Sequence, residues 1–180
     1  MLTGSTNNQK SLICLFSLIL ILTVGCATSR KTPAETQYPQ APDVKFIAVD
    51  GENGSLSDYR GEAVVLINFW GLRCQSCIEE MPFLERLHSE YGSRGLVILS
   101  VNTDGVDGTL LKKFLPQLPL KVSYPLIVDP DYSLVDTFEV VAAPLTVMVA
   151  KDGTVRYRHE GYEPEIEQKH IQLIENLLVE

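Results

Sequence analysis

The chain has 180 residues, 45% of them hydrophobic, and a formal net charge of −8 at pH 7. That is enough apolar material for one well-buried core, with little room for a second domain. The acidity comes with no cluster of Lys or Arg, which argues against a phosphate-tracking surface and excludes nucleic acid as an expected partner.

Residues 1–25 read as a segment apart. Lys10 precedes an uncharged apolar run from Leu12 to Val24, and Gly25-Cys26 follow at once. A basic start, an apolar stretch and small residues make the layout of an export signal. The run falls short of the roughly 20 residues a spanning helix requires, which disfavours a permanent transmembrane anchor. Leu22-Thr23-Val24-Gly25-Cys26 resembles the bacterial lipobox, with Thr23 standing where Leu is commoner. That resemblance implies that Cys26 is acylated through its sulfur and becomes the first mature residue. The alternative is a plain secreted chain cleaved near Ala27, with Cys26 incidental. Residues 26–41 are polar, contain Pro and lack apolar periodicity, so they read as a flexible tether for a domain over 42–180. Cys14 then leaves with the signal, Cys26 carries lipid, and Cys74 and Cys77 remain as thiols.

Within the domain, Lys45–Val49 predicts a short strand, Asp50–Gly54 a turn, and Ser57–Arg60 a helical turn closed by Gly61. Ala63–Trp70 is almost continuously apolar and rich in Val and Ile, the pattern of a central strand covered on both faces. The carboxyl end of such a strand is where open α/β sheets place their chemistry. From Cys74 to Tyr91, Ile78, Met81, Leu84, Leu87 and Tyr91 recur at helical spacing until Gly92, with Pro82 removing one backbone donor inside the helix. Leu96–Val101 predicts a second buried strand, completing a right-handed strand–helix–strand unit.

The signal weakens between Thr103 and Tyr124. Leu110–Leu115 reads as helical, and Pro116, Pro119 and Pro125 break the stretch beyond it. Leu126–Val128 predicts a strand and Ser133–Phe138 a short helix capped by Asp131 or Ser133. Leu145–Ala150 and Val155–His159 flank Lys151-Asp152-Gly153-Thr154, whose Asp-Gly pair signals an antiparallel hairpin. Glu165–Leu178 ends the chain as a helix with Ile166, Ile171, Ile174, Leu177 and Leu178 near one stripe. The predicted order is β-α-β, a connector, then β-β-α.

Two cysteines separated by two residues, at the end of a buried strand and the start of a helix, have the spacing to close a small disulfide ring. Unpaired N–H groups and the helix dipole at that end favour an anion, which lowers the pKa of Cys74 and makes it the candidate nucleophile. Cys77, one turn inward, is the candidate resolving thiol. The competing readings are a static disulfide and half of a zinc site, the latter lacking a second Cys or His pair.

The run from Asn68 to Pro82, Asn-Phe-Trp-Gly-Leu-Arg-Cys-Gln-Ser-Cys-Ile-Glu-Glu-Met-Pro, resembles the active-site segment of thioredoxin-fold proteins. More narrowly, it resembles the exported TlpA/ResA-type thiol-disulfide oxidoreductases. The match runs from about Pro42 to the C-terminus and includes the Leu56–Gly61 turn and the proline before the hairpin. It implies an α/β thioredoxin fold, a central mixed sheet flanked by helices, with an N-terminal extension and a connector insertion. It implies a cis Ala143–Pro144 bond against the dithiol, with the Ala143 backbone pairing with a substrate strand. It also implies that Glu80 accepts or returns the proton of the resolving thiol, since Asn68 occupies the position of thioredoxin's buried Asp and cannot take a proton. The competing reading of Glu80 is an ordinary first-turn carboxylate, like Glu79. Arg73 stands where Trp usually precedes the first Cys, Ser76 replaces a frequent Pro, and Ala143 replaces a bulkier residue. Arg73 and Trp70 are candidate substrate contacts, Trp70 being equally a packing residue. His88, His159 and His170 are assigned to the surface.

The function expected from this resemblance is a lipid-anchored, monomeric disulfide reductase of the cell envelope, facing the periplasm or the outside. It would act without cofactor or metal, draw electrons from a membrane thiol donor and serve client proteins such as apocytochrome c or a copper-site protein. Arg73 and Ser76 motivate an oxidase or isomerase instead. A peroxidase would want a Pro-x-x-x-Thr-x-x-Cys arrangement, and a Cu(I)-binding module would use Cys74 and Cys77 as soft ligands.

Overall fold

A computed structural model describes residues 39–118 and 120–180, all within a compact unit spanning Gln37–Glu180. The signal segment, Cys26, Pro119 and the tether up to residue 38 lie outside the described residues.

Seven strands form one sheet in the order β2-β1-β5-β4-β3-β6-β7. β1 (Lys45–Ala48) and β2 (Asn53–Ser55) make an antiparallel hairpin at one edge. β3 (Val64–Trp70) lies at the centre, parallel to β4 (Leu96–Asn102) and antiparallel to β6 (Leu145–Val149). β5 (Leu126–Val128) joins β4 in parallel, and β7 (Val155–Glu160) closes the other edge against β6. Among the described residues four α-helices accompany the sheet: α1 (Gln75–Tyr91), α2 (Gly108–Phe114), α3 (Ser133–Thr137) and α4 (Glu167–Val179).

All seven residues of β3 are buried, as its unbroken apolar run predicts. Side chains alternate faces along a strand. Val64, Leu66 and Trp70 therefore enter the core shared with Met81, Leu84 and Leu87 of α1 and Ile174 and Leu177 of α4. Val65, Ile67 and Phe69 enter the opposite core with Leu56, Leu134 and Phe138. Each fully buried large side chain contributes roughly 1.5–3 kcal/mol by removal from water. Two such cores bracket the strand that leads to the cysteines, so its end is held from both sides.

Three features depart from the sequence reading. Asn53 and Gly54, read as the end of a turn, belong to the edge strand β2, where a Cβ at Gly54 would stand 2.5 Å from the Phe46 ring and push it aside. Residues 39–41, assigned to the tether, belong to the folded unit. Gln40 bridges to Thr154, the Ala41 N–H donates to Gly153 O, and Ala41 is buried. One short β-bridge does not require the apolar periodicity that marks a longer strand. At α3, Asp131 takes only the first N–H of the helix, that of Ser133 at 3.3 Å, and the deeper donors turn elsewhere. Buried Asp129 accepts from the N–H groups of Leu134 and Val135, and Tyr132 precedes the helix in the left-handed region at φ 59°.

Candidate functional site

The chain leaves β3 at Trp70 and reaches Cys74 through a loop held from β4. The Leu72 N–H donates to Asp104 Oδ2 at 2.7 Å, and Asn102 Nδ2 donates to the same oxygen at 2.8 Å. Thr103 donates to Trp70 O through both its N–H and its hydroxyl. Sequence reasoning missed Asn102 and Asp104. They lie far from the cysteines along the chain, and only the parallel pairing of Trp70 with Asn102 brings them together.

Cys74 is the N-cap of α1, and its Sγ accepts the Cys77 N–H at 3.2 Å. One orphan donor of the helix thus points at this sulfur, where the dipole of a 17-residue helix also favours negative charge. Cys74 and Cys77 form a disulfide with Cα atoms 5.2 Å apart. Cys74 is partly exposed, whereas Cys77 is buried. Ser76 Oγ stands 3.6 Å from Cys74 Sγ, within reach of a sulfur hydrogen bond. The Ala143–Pro144 bond is cis, and Ala143 O lies 3.5 Å from Cys74 Sγ. Arg73 is exposed beside them.

Beneath the disulfide lies Glu80, one helical turn beyond Cys77 on α1 and only 1% exposed. Its Oε2 accepts from Asn68 Nδ2 at 2.9 Å and its Oε1 from Thr146 Oγ1 at 3.2 Å. Burial raises its pKa to about 7, against the two hydrogen bonds, which lower it. Desolvation dominates because a carboxylate in low dielectric loses more than two neutral donors return. A carboxyl poised near neutrality can take or give a proton without leaving the fold. Its burial sets it apart from the exposed Glu79.

Trp70 is 0% exposed, with its indole in the core. A substrate at the surface does not reach it, so packing wins over the substrate-contact reading. His170, assigned to the surface, is 1% exposed. It packs among Phe83, Tyr157 and His159, with its pKa lowered to about 4 by burial and then by the charges of His159 and Lys169. An amphipathic helix stripe read only through its Ile and Leu positions conceals an aromatic ring that packs among other rings. His88 and His159 are half-buried. Among the described residues no group of three or more His, Cys, Asp or Glu could hold a metal ion.

A cysteine pair at the N-terminus of a helix that follows the central strand of a mixed sheet, facing a cis-proline, defines a thioredoxin-fold dithiol/disulfide protein. The chain belongs to the AhpC/TSA family, whose model matches residues 39–158. It is 32% identical over 154 residues to the thiol-disulfide oxidoreductase ResA of Geobacillus kaustophilus, spanning 82% of this chain and 86% of that protein. It is 32% identical over 122 residues to ResA of Bacillus thuringiensis subsp. konkukian, spanning 68% of each. Among solved structures, a putative thiol:disulfide interchange protein DsbE from Chlorobium tepidum aligns with a TM-score of 0.71 at 27% identity, over 79% of this chain and 97% of that one. The exposed lipoprotein thioredoxin Etrx1 of Streptococcus pneumoniae aligns with a TM-score of 0.66 at 26% identity, over 76% and 100%. The chain is therefore a thiol-disulfide oxidoreductase.

Proposed function

We propose that this enzyme is an extracytoplasmic, lipid-anchored reductase of client-protein disulfides, with Cys74 as nucleophile, Cys77 as resolving thiol and Glu80 as proton acceptor. One observation carries the division of labour: a partly exposed sulfur at the tip of α1, a buried one a turn deeper, and a buried carboxyl one turn deeper again. In the dithiol form, the Cys74 thiolate attacks a client disulfide, forming a mixed disulfide and releasing one client sulfur as a thiolate. Cys77 passes its proton to Glu80 and attacks Cys74 Sγ, which closes the intramolecular disulfide and releases the second client sulfur. Two electrons pass to the client, and a membrane thiol donor restores the dithiol. The cis-Pro loop offers Ala143 O to the client backbone while Arg73 favours the thiolate.

Export and acylation at Cys26 rest on the 1–26 sequence and on the likeness to an exposed lipoprotein thioredoxin. Reduction rather than oxidation rests on the ResA relatives and on Glu80, with an apocytochrome c or a copper-site protein as client. The peroxidase reading is disfavoured because Ile67 and Gly71 stand where its Pro and Thr would be. The deciding experiment is the reduction potential of the Cys74/Cys77 couple in thiol–disulfide buffers, read by alkylation. A value near or below about −220 mV supports a reductase, and one near about −120 mV makes it an oxidase or isomerase.

A further inference from the structure

β3, β4 and β6 are each apolar almost throughout, yet, Asn102 at the end of β4 apart, a polar residue of each stands at the same level of the sheet. Asn68 is the register partner of Ser100 on one side and of Thr146 on the other. All three are at most 1% exposed, and Asn68 and Thr146 reach Glu80 above the sheet. Ser100 does not. Its hydroxyl donates to Asn68 Oδ1 at 3.3 Å.

A side-chain amide can present either end to a carboxyl group, and the two ends have opposite effects. The N–H group stabilises a carboxylate, whereas the carbonyl oxygen accepts from a carboxylic acid and stabilises that instead. With Oδ1 held by Ser100, Nδ2 faces Glu80. Turning the amide over would take from the Ser100 hydroxyl hydrogen the acceptor it has here, and a buried unpaired donor is costly. Thr146 needs no such control, because its hydroxyl donates to the carboxylate and accepts from the acid.

We propose that Ser100 is a positioning residue for the redox reaction: by donating to Asn68 it fixes the amide with its N–H on Glu80, and so holds the buried carboxyl ready to accept the Cys77 proton. This rests on the proton-acceptor role of Glu80. The other titratable groups facing Glu80 are Cys77 on its own helix and Tyr124 and Tyr162, whose hydroxyls are both held neutral at working pH, chiefly by burial. Neither tyrosine competes with the cysteine as the proton's source.

The test is a titration of the Glu80 carboxyl signal by carbon-13 NMR in the disulfide form, with Glu80→Gln identifying the signal. Ser100→Ala is expected to move the titration midpoint upward by roughly half to one pH unit, the equivalent of one neutral hydrogen bond. Ser100→Thr, which keeps the hydroxyl, is expected to titrate as wild type. A Ser100→Ala midpoint that coincides with wild type would overturn the proposal. Should that variant not fold, the wild-type Asn68 side-chain amide signals decide: they are expected to shift with the Glu80 midpoint while keeping their contact to Glu80 at both pH extremes. Reversal of the amide on protonation would sink the idea. The Glu80 role is judged apart, by the rate of mixed-disulfide resolution in Glu80→Gln; an unchanged rate there would remove that role while leaving the Ser100 titration result standing.

Discussion

In the proposed mechanism the rim and the floor of the site solve the same problem, making a thiolate, by different means. At the rim, Cys74 is partly exposed, caps α1 and receives the Cys77 N–H, with exposed Arg73 beside it. Backbone dipoles and solvent stabilise its anion with no titrating partner. On the floor, Cys77 is buried against the core, where an isolated anion is costly. The proposed base is carried within the fold: Glu80, held by Asn68 and Thr146, is the buried carboxyl within a helical turn, Glu79 being exposed. On this proposal the nucleophile is made by position and the resolving thiol by proton transfer.

This contrast is broken most severely at the cysteines. Cys74→Ser is expected to abolish disulfide exchange, whereas Cys77→Ala keeps the first attack and accumulates mixed disulfides, seen as client adducts on non-reducing gels. Next in size, Glu80→Gln is expected to slow resolution of a preformed mixed disulfide by about 10²-fold near neutral pH, the lower end for general base catalysis, with the first attack nearly unchanged. Stopped-flow single-turnover kinetics separate the two steps.

Stability sharpens the contrast further. Glu80 has a folded pKa of about 7 against an ordinary value of 4.5. Its contribution is therefore fully present below pH 4.5 and lost as pH rises through about 7, on the order of 3 kcal/mol. Glu80→Gln should flatten that decline with rising pH in denaturant titrations at pH 4.5, 6 and 8. His170 acts in the opposite sense. Its folded pKa of about 4 lies below the ordinary value of 6.5. Stability is present above pH 6.5 and falls, again by roughly 3 kcal/mol, as pH drops through about 4. His170→Leu should remove this acid limb. The smallest effect belongs to the rim: Arg73→Ala is expected to slow the first attack by at most about fivefold, less at high salt, because an exposed charge is screened.

The sequence disclosed the site's linear part, because strand, cysteine pair and Glu80 lie within one contiguous run whose periodicity changes from buried strand to helix at Cys74. What escaped it was lateral. Ser100 and Thr146 are polar residues flanked by apolar ones in their strands, and that oddity was visible, but what links them to Asn68 is the register of β4 and β6 on β3. Asp104 escaped for the same reason, holding Leu72 from a different strand's loop. In the fold, Lys45–Ala48 and Leu126–Val128 were recognisable as strands, but their antiparallel pairing depends on contacts across the chain that no local pattern encodes. His170 was misplaced because helical spacing marks a buried position without saying that an imidazole will fill it.

The most direct test of the central claim is the pH dependence of mixed-disulfide resolution in wild type and Glu80→Gln from pH 5 to 9. With Glu80 as the proton acceptor for Cys77, the wild-type rate rises with a midpoint near the Glu80 pKa of about 7, and Glu80→Gln loses that step, gaining rate only toward the alkaline range of an unassisted thiol near about 8.5. Superimposable profiles would contradict the account.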